Sequence, residues 1–383
     1  MSSSAQGPTL LIFTEDPGAA NAVVGLPSRL AAHGVKAHVV ATGAAVAFLA
    51  ARGERFDVLR DGESAASLVD RVKPSAVFVG TAESPDTLGL AIIAEAKSRG
   101  ITSVGFVDAY TNAPFRWCGH TSDPLAYCPD HLLVSDPPTE AAFIALGVAP
   151  ERVRVCGHPQ LDAILARAAD LAKEDRQALR ERLFPGLAKH ASQGKRVIVF
   201  CGERSTAGSD DAVMDAQFQR SSDYTLNGRG DSNARTQIVA EELLDAVATL
   251  PQRPFMVLRY HPKNVDADFG ALIDEFDVTS VGGSAVDVLF AADLVVGMTS
   301  VILPETSALG RPTLSVVPRE LERAWLPFAS QTITPCVATR SALREFLSDW
   351  AAVSSTERRA APIVASRLGA MDRLCQLVVE LTR

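Results

Sequence analysis

Residues 291–312 read AADLVVGMTSVILPETSALGRP, and the interpretation of this stretch decides the fold. The apolar run 294–297 predicts a short buried strand, Met298-Thr299-Ser300 a turn, and the following residues a helix running to Leu309. Pro304 fits such a helix only in its first turn, where a missing N–H costs nothing. Gly310 and Pro312 stop the helix, and 313–317 begins the next strand. The hydroxyls of Thr299 and Ser300 fall just ahead of the helix, with backbone N–H groups pointing out of the turn. Free N–H groups at the positive end of a helix dipole make a natural seat for phosphate. Two readings are open on local sequence alone. One is an ordinary strand with a capping pair and a solvated Glu305. The other is a nucleotide diphosphate held by Thr299 and Ser300, with Glu305 on the ribose hydroxyls.

Working outward, the same strand–turn–helix rhythm fills most of the chain. Strands are expected at 9–14, 36–41, 56–59, 75–80 and 101–107, alternating with helices at 19–33, 43–52, 63–72 and 86–99. Further strands are expected at 131–135 and 153–156, with a helix at 138–146 between them. Residues 171–194 turn helical and charged and read as a connector. A second series follows, with strands at 196–201 and 255–260 and helices at 233–250 and 267–275, leading into 291–312. A last helix, 355–382, follows Trp350 and could return to the first domain. Short apolar strands alternating with amphipathic helices mean parallel sheets covered on both faces. The expected organisation is an N-terminal acceptor-binding domain over 8–185, a nucleotide-binding domain over 195–354 and a terminal helix over 355–383.

At 383 residues the chain is long enough for two domains with proper cores. A formal charge of −8 gives no basic face for nucleic acid. No run approaches the ~20 apolar residues of a membrane helix. The N-terminal MSSSAQGPT has no signal-peptide pattern. Six scattered cysteines form no disulfide framework, so a reducing cytoplasm is expected.

Ligands of parallel sheets sit beyond the carboxyl ends of the strands. In the first half that rule gathers Glu15, Asp16, Gly80, Thr81, Glu83 and Asp108. The irregular stretch 108–130 has the length of a functional loop. Its Cys118, His120 and Cys128, with His131, lack the paired spacing of zinc knuckles, and a loop facing an acceptor is the better reading. In the second half three loops converge by the same rule. One is Cys201-Gly202-Glu203-Arg204-Ser205, where Gly202 admits close backbone approach and Arg204 can pair with phosphate. Another is Arg259-Tyr260-His261-Pro262-Lys263-Asn264, with two candidate cations. The Thr299-Ser300…Glu305 segment is the third. Residues 202–232 are rich in Gly, Ser, Asp and Arg and are expected to be a mobile loop. The tripeptide Arg229-Gly230-Asp231 within them reads as a chance match.

These residues carry a resemblance. ADLVVGMTSVILPETSALGRPTLSV (292–316) resembles the UDP-GlcNAc 2-epimerases in its strand, small-residue turn, acidic residue and closing LGxP. DHLLVSDPPTEAAFIALGVAPERVRVCGHPQLDAI (130–164) is similar to their segment entering the domain linker. The layout resembles that of the GT-B superfamily, which also includes lipid-A-disaccharide synthases and Kdo transferases. The resemblance implies an α/β fold of two Rossmann-like parallel-sheet domains facing a central cleft. It places Glu305 on the ribose-binding acid and Thr299, Ser300 and Val301 on the diphosphate-binding turn. Departures are equally visible. The epimerases' Gly-Gln-His turn is replaced by Ala41-Thr42-Gly43, and the stretch comparable to their His and Glu before an Ala-Gly-Leu-Arg run, Gly105-Phe106-Val107-Asp108-Ala109, has no such Arg. Asp136 matches no epimerase carboxylate. Glu15-Asp16-Pro17-Gly18 is similar instead to the acidic first loop of GT-B transferases. Bacterial sialyltransferases share an acid before Gly, an HP pair and a Ser/Thr pair, as in Asp16, His261-Pro262 and Thr299-Ser300.

The expectation is a glycosyltransferase moving a sugar from a nucleotide-sugar donor to an acceptor hydroxyl, in the synthesis of cell-surface glycans. Asp16 is the first choice of general base, with Glu15 and Asp108 behind it. Asn21 and Thr81 would face the acceptor. Gly202, Arg204, Ser205, His261, Lys263, Thr299, Ser300 and Glu305 would hold the nucleotide. No metal and no cofactor are expected beyond a co-substrate of the UDP or CMP type. The alternatives are a nucleotide-sugar 2-epimerase, a CDP-alcohol phosphotransferase-like enzyme and a non-catalytic nucleotide-sugar-binding protein.

Overall fold

The computed structural model describes residues 7–82, 84–108, 112–189, 195–203, 220–261, 264–326, 334–353 and 369–382. The chain divides into two compact units, 1–163 with 364–383 and 164–363.

The first unit holds a seven-stranded sheet of β1 (Thr9–Thr14), β2 (Lys36–Ala41), β3 (Asp57–Val58), β4 (Ala76–Gly80), β5 (Thr102–Val107), β6 (His131–Val134) and β7 (Val153–Val155). Its order is β3-β2-β1-β4-β5-β6-β7, and every pairing is parallel. Side chains alternate across the sheet, so each apolar strand feeds two cores. Leu10, Ile12, Phe78, Val104 and Phe106 enter one core, and Leu11, Phe13, Val77, Val79 and Val107 enter the other. The first core is completed by Met371, Leu374, Cys375 and Val378 of the helix Ala370–Leu381. That helix carries its apolar residues at helical spacing on one face.

The second unit has a six-stranded sheet of β8 (Val197–Cys201), β9 (Phe255–Arg259), β10 (Val278–Ser280), β11 (Leu294–Gly297), β12 (Thr313–Val316) and β13 (Cys336–Val337). The order is β10-β9-β8-β11-β12-β13, again parallel throughout. Ile198, Phe200, Met256, Leu258, Leu294 and Val296 pack against the helix Arg235–Ala248 through Ile238, Leu243 and Val247. Both units therefore have the Rossmann strand order, and the expected α/β class of two such domains is borne out. In each sheet the order reverses beside the first strand, between β1 and β4 and between β8 and β11. Ligands of such sheets bind at that reversal.

Several local expectations are corrected. The helix expected over 19–33 is two helices, Pro17–Val23 and Leu26–Ala32, broken at Gly25 with φ +74°. Only glycine takes that conformation without strain. The expected helix 267–275 is replaced by 3-10 turns at Asp266–Asp268 and Gly270–Glu275, the second opening on Gly270 at φ +53°. The strand expected over 56–59 has only two residues, which pair with Val40 and Ala41. Part of the expected mobile loop 202–232 and the first half of the expected last helix, 355–368, fall outside the described residues, and the helix Ala370–Leu381 occupies the remainder.

Candidate functional site

In the second unit the quoted stretch folds as β11, a turn at 298–300, a helix at Ile302–Ala308 and then β12. Pro304 is the third residue of that helix, which tolerates it there. The turn already holds an anion. The backbone N–H groups of Met298, Thr299 and Ser300 donate to Oε1 of Glu203 at 3.0, 2.7 and 2.8 Å. Oε2 of the same carboxylate accepts the Thr299 hydroxyl at 3.0 Å and Nη1 of Arg235 at 2.9 Å. Nη2 of Arg235 donates to the Thr299 hydroxyl oxygen at 3.1 Å.

Arg235 is 1% exposed, at the first turn of the helix Arg235–Ala248. A guanidinium so deep needs carboxylate partners to repay its lost hydration. Glu203 and the fully buried Glu322 supply them, the latter accepting Nε at 2.6 Å. Burial opposes the charge of Arg235, but the two carboxylates outweigh it and hold the guanidinium above its ordinary pKa. Glu322 is shared with Arg319, whose Nε donates to it at 2.8 Å. Arg235 and Glu322 carried no motif in the sequence. Glu203 was visible only as a neighbour of Gly202, and the signal that could have found it is its place just beyond a strand's carboxyl end.

The three expected loops do meet here. Gly202 donates its N–H to the Arg259 carbonyl at 2.9 Å. A Cβ at Gly202 would lie 2.5 Å from Phe269 and 2.9 Å from the Asn264 side chain, so glycine is required by close approach. His261 donates its backbone N–H to Asn264 Oδ1 at 2.9 Å. Glu305 is buried in the helix Ile302–Ala308. Its charge reaches Cys201, whose thiol is pushed up to about 12, first by burial and further by Glu203 and Glu305. Arg259 is engaged elsewhere, bonding Ser280 Oγ at 2.9 Å and the Gly283 carbonyl at 3.2 Å. Arg204, Ser205 and Lys263 lie outside the described residues.

In the first unit the strand ends gather a different chemistry. Asp108, beyond β5, accepts the Thr81 hydroxyl at 2.5 Å. A Cβ at Gly18 would lie 1.9 Å from Asp108 Oδ2, so the loop carrying Asp16 runs directly against that carboxylate. Asp16 sits at the N-cap position of the helix Pro17–Val23, but its side chain makes no capping bond. Glu15 leans towards Gly43 instead, and its Oε2 is buried without a hydrogen-bond partner. Asn21, in the helix Pro17–Val23, donates to Gln160 Oε1 at 2.9 Å.

His158, beyond β7, is the functional candidate that sequence reasoning missed. Its signal was present, a histidine in the turn after a strand. Its Nδ1 accepts the Gln160 N–H at 3.3 Å. Burial pushes the imidazole below its ordinary pKa, offset in part by the Asp108 charge and a bond to the Asp108 backbone. A carboxylate beside a neutral imidazole and a hydroxyl is a set that can accept and relay a proton. Asp136 is spent on structure, its Oδ1 capping a helix through the Thr139 N–H at 2.9 Å, while its buried Oδ2 has no partner.

The remaining motifs resolve into ordinary structure. Arg229 of the Arg-Gly-Asp tripeptide is paired with Asp245 and Glu275. His120 pairs with Asp86 at 2.7 Å, Cys128 is buried and His131 begins β6. Among the described residues no three His, Cys, Asp or Glu side chains are grouped to hold a metal ion, and no helix is long and apolar enough to cross a membrane.

No protein family's sequence profile matches the chain, and no curated protein matches it. Solved structures do match in fold. A UDP-GlcNAc 2-epimerase from Neisseria meningitidis, bound to UDP-GlcNAc, aligns with a TM-score of 0.66 at 13% identity, over 97% of this chain and 98% of its own. The UDP-GlcNAc 2-epimerase of Methanocaldococcus jannaschii, in complex with UDP-GlcNAc and UDP, aligns with a TM-score of 0.63 at 11% identity, over 97% and 99%. A glycosyltransferase from Rickettsia africae aligns with a TM-score of 0.55 at 10% identity, over 98% and 93%. The chain thus has the GT-B-like fold that these epimerases and this transferase share.

Proposed function

We propose that the protein is a nucleotide-sugar-dependent glycosyltransferase, with the nucleotide diphosphate held by the second unit and the acid–base chemistry supplied by the first. The observation that carries this reading is the convergence of three backbone N–H groups, a hydroxyl and a guanidinium on one oxyanion at the β8/β11 reversal. Such a set suits a diphosphate, both as ground-state ligand and as leaving group. Glu305, at the adjoining helix, is assigned to the ribose hydroxyls, and His261 to the same nucleotide.

In the transfer step an acceptor hydroxyl attacks the anomeric carbon. Its proton goes to a carboxylate, and the nucleotide diphosphate departs with the electron pair of the broken C–O bond. Asp16 is assigned as the general base, because it lies beyond the carboxyl end of β1 in the loop that runs against the Asp108 carboxylate. Asp108, steadied by Thr81 and beside His158, is the second choice, and Glu15 the third. Asn21 and Thr81 are assigned to the acceptor. No step in this scheme requires a metal ion.

A second reading, 2-epimerisation of the nucleotide sugar itself, is favoured by the structural similarity to UDP-GlcNAc 2-epimerases. Incubation with UDP-GlcNAc separates the two. A transferase releases UDP only when an acceptor is added, whereas an epimerase converts the donor alone. Binding of donor with neither outcome would leave a nucleotide-sugar-binding protein without catalysis.

A further inference from the structure

The carboxylate in the Met298–Ser300 turn belongs to the chain itself. A set built to hold an oxyanion, and already holding one, must exchange it before any ligand phosphate can enter. We infer that Glu203 is an internal surrogate for phosphate, that a terminal phosphoryl group of the ligand enters by displacing it, and that Arg235 then becomes a phosphate ligand. This rests on the nucleotide reading above and adds which groups take the phosphate and which group they release.

The geometry of the guanidinium supports the exchange. Nε of Arg235 faces Glu322, which is buried and shared with Arg319. Nη1 and Nη2 face Glu203 and Thr299. Departure of Glu203 therefore leaves Arg235 anchored to Glu322 through Nε, with the charge that Glu203 had balanced now available to an incoming anion. The three N–H groups of the turn are released at the same time. A state with no anion at all would leave these donors poorly satisfied, which is costly in a site of low exposure. Exchange of one oxyanion for another keeps every donor bonded. The seat is also reachable. Glu203 keeps 12% of its side-chain surface exposed, and Thr299 and Ser300 are only half-buried. A phosphate brings more charge and more acceptor oxygens than a carboxylate, and charge-assisted bonds favour it.

An occupied seat lowers the apparent affinity by the fraction of molecules in which it is open. Removing the competitor should raise affinity for a phosphorylated ligand and leave that for its unphosphorylated counterpart alone. The test is calorimetric titration of UDP and of uridine into the wild-type chain, Glu203→Ala and Glu203→Gln, each first checked for cooperative thermal unfolding. Glu203→Ala should bind UDP at least tenfold more tightly than wild type. Glu203→Gln, with the same shape but no charge, should gain less, and it carries the test if the alanine variant does not fold. Uridine binding should be unchanged in both. Equal or weaker UDP binding by the folded variants, while wild type binds UDP, would overturn the exchange and leave the nucleotide reading standing. So would a gain for uridine equal to that for UDP. If neither wild type nor the variants bind UDP, GDP, CDP or dTDP, the nucleotide reading falls, and the exchange with it.

Discussion

The two strand-order reversals can be set side by side. Both lie between the first and fourth strands of a Rossmann-ordered parallel sheet, and both place a carboxylate at the strand ends. At β1/β4 the Asp108 carboxylate meets the Thr81 hydroxyl and lies against Gly18, while the Asp108 backbone bonds a buried imidazole. At β8/β11 the Glu203 carboxylate meets three N–H groups and a buried guanidinium. One topology has been given two electrostatic characters. The first joins a carboxylate to a hydroxyl and an imidazole; the second surrounds one with N–H groups and a guanidinium. Topology says where a ligand goes, and the residues lining the reversal say what it can be.

The comparison breaks most visibly at the first reversal. Asp16→Asn should lower turnover by about 10²–10⁴-fold, the range of a lost general base, while donor affinity changes by no more than about twofold. Steady-state rates alongside a donor titration check this. Normal turnover would remove Asp16 from the mechanism and pass the role to Asp108. At the second reversal, Arg235→Met leaves Glu203 without its cation and Glu322 with Arg319 alone. Loss of a partner from a buried ion pair costs about 3–5 kcal/mol, read by urea unfolding. Thr81→Val removes one hydroxyl bond to a carboxylate and should cost less, about 1.5–3 kcal/mol by the same assay. The reverse ranking would mean that the Arg235 network is not what braces its turn.

The smallest expected effect concerns pH. The His158 pKa is lower folded than unfolded, so the unfolded chain binds the extra proton first. Its contribution to stability is complete above about pH 6.5 and is lost as pH falls from there through the lower folded value. His158→Asn should flatten that part of the stability–pH curve, by a slope of at most about 1.4 kcal/mol per pH unit. Parallel curves for wild type and variant would show that His158 does not titrate with folding.

The sequence was most legible where information was local. Leu294–Gly297 and Ile302–Ala308 lie within the segments expected of them because apolar runs bounded by Gly and Pro leave few alternatives. Gly25 was read through because Val23, Leu26 and Leu30 keep helical spacing on either side of it and stay buried, so the periodicity hides the break. The contact between Glu203 and the 298–300 turn was out of reach. It joins residues about a hundred positions apart, and only the pairing of β8 with β11 brings them together. His158 was missed for a similar reason, since its partner Asp108 comes from another strand end.

The central claim is that the β8/β11 reversal is a receptor for a nucleoside diphosphate. Thermal unfolding of the wild-type chain with UDP, GDP, CDP, dTDP and CMP, each matched with its nucleoside, tests it most directly. A ligand at about 100 times its dissociation constant adds about 2.7 kcal/mol to stability. At least one nucleoside diphosphate should raise the melting temperature, its nucleoside should do so far less, and Thr299→Val should diminish the shift. No shift with any of these nucleotides, or an equal shift with the nucleoside, would contradict it.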